Sequence, residues 1–280
     1  MAKASSRSSP ARRLLLGLAS FALFGALAFP LTGCLHTHSS NISRLGRTNE
    51  QAIAAHGERR LAEASRGYAA ILKAQPPAEL SPAQWQLVLD LAPRLLGVAH
   101  DPFPLEDVVV LIHPTQPWIA YHLFWDDDID FPEDNDPTDH EVVWVEYDPA
   151  TFQPRSMATY FHGKILHYPV QGRPAIGVEW GKHGSIPMQD GRLAMEPEGL
   201  HQHWQRLSTT GSRLPDHPLA RHWPKRFDGD WSAYRAYVTE VDPRDFIRSK
   251  RFAWVSPWAN AVIDQYALPY NFAAKQEWPQ

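Results

Sequence analysis

Cys34 is the only cysteine in the 280 residues, so no disulfide can form within the chain, and packing alone must hold whatever it folds into. Packing needs apolar residues in a repeating pattern, and two patterns are present. Between residues 49 and 73, Leu61, Ala64, Tyr68, Ile71 and Leu72 recur at steps of three and four, the period of a helix face. A second helix is expected to open at Ser81-Pro82, a capping residue followed by proline at the first helical position. It carries Trp85, Val88 and Leu89 inward and ends near Pro93 and Gly97. No repeat makes these helices a solenoid, so residues 49–100 are expected to be a helical pair packed against the next part of the chain.

From Leu105 the pattern changes to short runs rich in Val, Ile, Tyr, Phe and Trp, separated by Pro, Asp and Gly. These predict strands at 107–113, 117–125, 141–147, 156–162 and 175–181, with Asp148-Pro149-Ala150-Thr151 as a hairpin turn. Alternation places Val143, Val145 and Tyr147 on one face of a strand and Trp144 and Glu146 on the other. The expected fold class is mainly β and antiparallel over residues 101–280, with an irregular C-terminal part. In that part Trp204, Trp223, Trp231, Trp254 and Trp258 are expected to seal the sheet edges, a carbohydrate-stacking platform being the alternative.

The N-terminal residues carry Lys3, Arg7, Arg12 and Arg13 with no acid and lead into an uncharged apolar run at 14–30. Leu31-Thr32-Gly33-Cys34 comes next and resembles the lipobox of bacterial lipoproteins. The resemblance implies a signal peptide at 1–33, lipid chains such as palmitate on Cys34, and a membrane anchored through them. The alternative is an uncleaved transmembrane segment. Leu35, rather than Asp, after the cysteine points by the same resemblance to the outer membrane of the cell envelope. Residues 34–48 are polar and read as a tether.

Loss of residues 1–33 lowers Lys+Arg from 27 to 23 against 31 Asp+Glu, a net charge of −8. With no basic cluster, that balance argues against nucleic acid as a partner.

Potential ligands concentrate in one stretch: Asp126, Asp127, Asp128, Asp130, Glu133, Asp134 and Asp136, then Asp139-His140-Glu141 opening a strand. So many like charges in a short loop need either solvent or a cation. Asp139 and Glu141 share a strand face by the period of two.

These residues resemble the necrosis- and ethylene-inducing-like proteins and their relatives named after vacuolar sorting protein sixty-two. Tyr121-His122-Leu123-Phe124-Trp125-Asp126-Asp127-Asp128 is similar to the family's aromatic strand ending in Asp. Asp139-His140-Glu141-Val142-Val143-Trp144-Val145 is similar to its Asp-x-Glu strand, and Val178-Glu179-Trp180-Gly181-Lys182-His183 to its Trp-x-Lys-His strand end. The resemblance covers residues 118–187 and implies that the β domain at 101–280 is an antiparallel, jelly-roll-like β-sandwich with a divalent cation at its rim, where glycolipid headgroups are engaged. It implies Asp128, Asp139 and Glu141 as ligands, Asp136 in place of a metal-binding histidine, and His140 and His183 behind them. The toxins read Gly-His-Arg-His-Asp-Trp-Glu where this chain reads Asn135-Asp136-Pro137-Thr138-Asp139-His140-Glu141, so only the acidic pair survives. The toxins also use disulfides that this chain cannot form, so cytolysis is not implied. An all-carboxylate set favours calcium or magnesium over zinc.

Two other functions stand beside a cation-binding surface protein. His162, His167, His183 and the pair His201 and His203 supply imidazoles for a zinc hydrolase, although no His-Glu-x-x-His spacing is present. A non-catalytic envelope interaction protein is the third class. No Gly-x-Ser-x-Gly or phosphate-cradling glycine loop supports a serine hydrolase or a nucleotide enzyme.

Overall fold

The structure is a computed structural model that describes residues 32–130, 137–210 and 230–279. Residues 42–280 form one compact unit and residues 1–41 another. The signal-peptide reading of 1–33 falls almost wholly outside the described residues. Among those described, no helix is long and apolar enough to cross a membrane.

Three helices come first. Helix α1 covers Thr32–Gly57, so the segment 34–48, read as a tether, is helical instead. The chain breaks over Glu58 to Arg60, where Arg59 takes a positive φ of 58°, and α2 runs Leu61–Ala74 with Ala64, Tyr68, Ile71 and Leu72 buried as their spacing predicts. Helix α3, Pro82–Leu91, opens with a full capping box in which Ser81 and Gln84 exchange hydrogen bonds between side chain and backbone. It ends before Pro93, but Gly97 is no helix breaker. Residues Arg94–Val98 form strand β2, so the helical segment 49–100 contains a strand. Leu95, Leu96 and Val98 supply the β-branched and apolar character, and pairing on both sides overrides the glycine.

The remaining strands are β1 (Ala78–Glu79), β3 (Leu105–Ile112), β4 (Trp118–Trp125), β5 (Asp139–Tyr147), β6 (Pro154–Phe161) and β7 (Lys164–Pro169). They continue with β8 (Ala175–Val178), β9 (Ser185–Gln189), β10 (Arg192–Leu193), β11 (Tyr237–Val241) and β12 (Ala253–Val255). Seven form a sheet in the order β1-β12-β3-β4-β5-β6-β7, and five form a second in the order β10-β9-β8-β2-β11. The antiparallel expectation fails at two pairs, because β12 runs parallel to β3 and β2 parallel to β8. In each pair the partners are far apart in sequence, so no tight turn dictates their direction. The fold is β-rich with two mixed sheets and a helical flank, and the jelly-roll expectation is corrected to that extent. Helices α4 (Leu200–Thr210), α5 (Trp231–Tyr234), α6 (Pro243–Lys250) and α7 (Ala259–Val262) give the C-terminal part regular structure as well.

The larger sheet is buried on both faces, which is why β4 and β5 are apolar nearly throughout. Val143, Val145 and Tyr147 meet Leu95, Ile176 and Val178 of the second sheet. On the opposite face, Val142 and Trp144 meet Tyr68, Ile71 and Phe272. The expected alternation along β5 is therefore observed, but the expected helical pair divides: α1 and α2 cover the outer face of the large sheet, whereas Val88 and Leu91 of α3 join the layer between the sheets.

Residues 271–278 close this outer layer. Trp144 donates its indole N–H to the Glu277 carbonyl at 3.2 Å, and Thr138 its hydroxyl to the Asn271 carbonyl at 2.7 Å. Asn49 on α1 donates to the Glu277 carboxylate at 2.9 Å, and His56 bonds the Phe272 carbonyl at 2.8 Å.

Candidate functional site

One end of the sheets gathers a group of interacting ionisable side chains, Asp101, Asp128, Asp139, Lys182 and His183 among them. The connection from β8 to β9 forms its centre, a tight turn in which the Glu179 N–H donates to the Gly184 carbonyl and the His183 N–H to the Glu179 carbonyl. Gly181 sits in this turn at φ 68°, and a Cβ there would lie 2.5 Å from Ile129, so only glycine fits. Its N–H donates to Asp101 at 2.8 Å, and its carbonyl accepts from the Ile129 N–H at 2.8 Å. The turn is thereby lashed to the loops after β2 and β4, which brings three segments to one rim.

His183 is fully buried between two carboxylates, its Nδ1 2.8 Å from Asp139 and its Nε2 3.3 Å from Asp101. Carboxylates only accept, so both ring nitrogens donate and the ring is an imidazolium. Burial opposes the charge, but Asp101 and Asp139 outweigh it and raise the pKa to about 10. Lys182 donates to Asp128 and also to Asp130, the latter at 2.7 Å. Burial pushes Asp128 up to about 6 against the pull of Lys182. Glu141 is buried beside them with its Oε2 unpartnered, and burial, reinforced by Asp139, holds its pKa well above the usual range.

Asp128, Asp139 and Glu141 thus share this rim, but Asp128 and Asp139 are each engaged by an internal cation. Asp136 lies outside the described residues. His140, assigned a place behind the ligands, points the other way. Strand alternation turns it to the helical face, where it stacks on Phe124 at 4.5 Å and bonds the Ala273 carbonyl at 2.6 Å. That carbonyl fixes the proton on His140 Nδ1, so its Nε2 accepts from His122 at 3.0 Å. Burial keeps both rings neutral by lowering their pKa values.

The other histidines separate into two groups. His167 is exposed on the edge strand β7, and His201 packs against Trp204 and Trp231 at ring distances of 5.0 Å. His162 and His203 meet at Glu179, a buried acid at the end of β8 that also accepts from the Tyr234 hydroxyl. Among the described residues, the His, Cys, Asp and Glu atoms that converge within 4.8 Å as a group of three are those of His162, Glu179 and His203. Sequence reasoning flagged both histidines and missed Glu179, Asp101 and Tyr234. The signal for Glu179 was an acid inside the apolar run Ile176 to Trp180.

Trp204 and Trp231 pack beside this group with Phe103, Phe161 and Trp180, and Trp254 and Trp258 pack on the helical face. Trp223 lies outside the described residues.

No family model matches the chain, and no curated protein matches it. Among solved structures, the necrosis and ethylene inducing protein 2 from the causal agent of cocoa's witches' broom disease is similar at 17% identity. That match covers 52% of this chain and 84% of the other, with a TM-score of 0.31.

Proposed function

We propose that the chain is a lipid-anchored cell-envelope protein, held to the membrane through Cys34, whose rim binds a divalent cation and through it a polar surface ligand of glycolipid or carbohydrate type. Asp139 and Glu141 are the core of the cation site, with Asp128 and Asp136 contributing. The observation that carries this reading is Glu141, a buried carboxylate with one oxygen unpartnered, on the same strand face as Asp139. Leaving such a group unsatisfied costs several kcal/mol, on the order of 1–3 even when it is neutral, and a cation removes that cost. The donors are all carboxylate oxygens, which suit calcium or magnesium.

The test is the melting temperature of the full-length protein against calcium, magnesium and chelator, in wild type and in Asp139→Asn and Glu141→Gln. Calcium or magnesium raises the wild-type midpoint by mass action, and the two substitutions abolish the rise. No rise in wild type, or a rise that survives both substitutions, rejects the cation site.

A further inference from the structure

We propose that His162, Glu179 and His203 form a separate centre for a borderline transition-metal ion, zinc foremost, which leaves one coordination position open. Three segments build it. His162 and Gly163 are the two turn residues between β6 and β7, both at positive φ, 44° and 80°. This is the left-handed geometry of a tight hairpin, normally filled by Asn-Gly, and a histidine there needs a reason. Its ring reaches Glu179, which stands at the end of β8. The third residue, His203, comes from the first turns of α4, anchored by Leu200, which is fully buried.

The spacing suits an ion. His162 Nε2 bonds one oxygen of Glu179, and His203 Nδ1 is 3.8 Å from the other. The two imidazole rings are 3.8 Å apart at centroids, inclined by 37°. A tetrahedral zinc ion with ligand bonds of about 2.0–2.2 Å sets its donor atoms ~3.3 Å apart. The present separations, all under 4.8 Å, reach that by small side-chain rotations. Glu179 is wholly buried while both rings keep a little exposure, so an ion has an acidic floor and an approach from solvent.

The neighbours fit the assignment. The Tyr234 hydroxyl donates to Glu179 and fixes the carboxylate, as outer partners of metal ligands do. Arg206 Nη2 contacts His203 from one side, 3.3 Å from Nε2 and 3.5 Å from Nδ1, a contact that an ion bound at Nδ1 would displace. Two imidazoles and one carboxylate are a borderline donor set, whereas the acidic rim offers only oxygen, so the two sites discriminate ions by hardness. Three protein ligands with a fourth position free is also the arrangement of zinc sites that hold a water.

The experiment uses full-length protein in detergent, stripped with chelator, then titrated with Zn²⁺ by calorimetry and with Co²⁺ by visible absorption. Wild type takes up one equivalent of Zn²⁺, and Co²⁺ gives the strong d–d bands of a low-coordinate site. His162→Asn, which keeps the left-handed turn, and His203→Gln each weaken Zn²⁺ binding at least tenfold and abolish those bands. Asp139→Asn and Glu141→Gln leave both readouts unchanged, which separates this centre from the acidic rim. Circular dichroism establishes that each variant is folded. Absence of stoichiometric Zn²⁺ uptake, or binding and bands retained in His162→Asn and His203→Gln, overturns the proposal. So does loss of both readouts in the acidic-rim variants.

Discussion

The imidazolium of His183 lies flat on the indole of Trp125, with ring centroids 4.3 Å apart and planes 5° from parallel. Trp125 faces the layer between the sheets, so the stack ties the charged rim to the apolar core. It adds a cation–π attraction to the two carboxylate bonds.

That arrangement makes stability depend on pH with a definite sign. Folded His183 has its pKa raised from 6.5 to about 10, so its contribution is fully present below pH 6.5 and disappears as pH rises through about 10. The wild-type melting temperature should fall from pH 7 to pH 10. His183→Gln should flatten that slope and cost about 3–5 kcal/mol at pH 7, since Asp101 and Asp139 lose their cation. An unchanged slope in His183→Gln would assign the pH dependence to other groups.

Lys182 competes with any ion for Asp128. Lys182→Met removes the internal cation, and calcium affinity measured by calorimetry should then rise by about tenfold, equivalent to ~1.4 kcal/mol. Weaker binding in this variant would mean that Lys182 orders the site rather than guarding it.

Trp144 is fully buried between β5 and the helices, its N–H taken by Glu277. Trp144→Ala should lower unfolding stability by about 3–5 kcal/mol in urea titration. A loss below ~1 kcal/mol would place this face of the sheet outside the cooperative core.

If the chain is anchored as proposed, Cys34→Ser should release it from the membrane fraction and abolish labelling with fatty acid. Retention of full-length Cys34→Ser precursor in the membrane would favour a transmembrane anchor instead.

Much of the fold was legible because it obeys local rules. The spacing of Ala64, Tyr68, Ile71 and Leu72, the cap at Ser81 and the β-branched runs of β3 to β6 each act within a few residues. Strand β2 was hidden because Pro93 and Gly97 look like breakers, and only partners about 80 and 140 residues away make it a strand. The rim was half legible. Asp139 and Glu141 share a face by alternation, but that rule also sends His140 away, which the motif alone conceals. Asp101 and Tyr234 carry no local signal, because nothing near Asp101 in sequence announces His183, 82 positions on.

The bonds from residues 271–278 have a bearing on biosynthesis. A chain made from its N-terminus exposes Asn49, His56, His140 and Trp144 long before the carbonyls and carboxylate that satisfy them exist. The helical layer over the large sheet therefore cannot lock until those residues have left the ribosome, and closure of the domain waits for a segment whose Glu277 is made 133 residues after Trp144. For an exported protein of the kind proposed, that delay keeps the chain transportable.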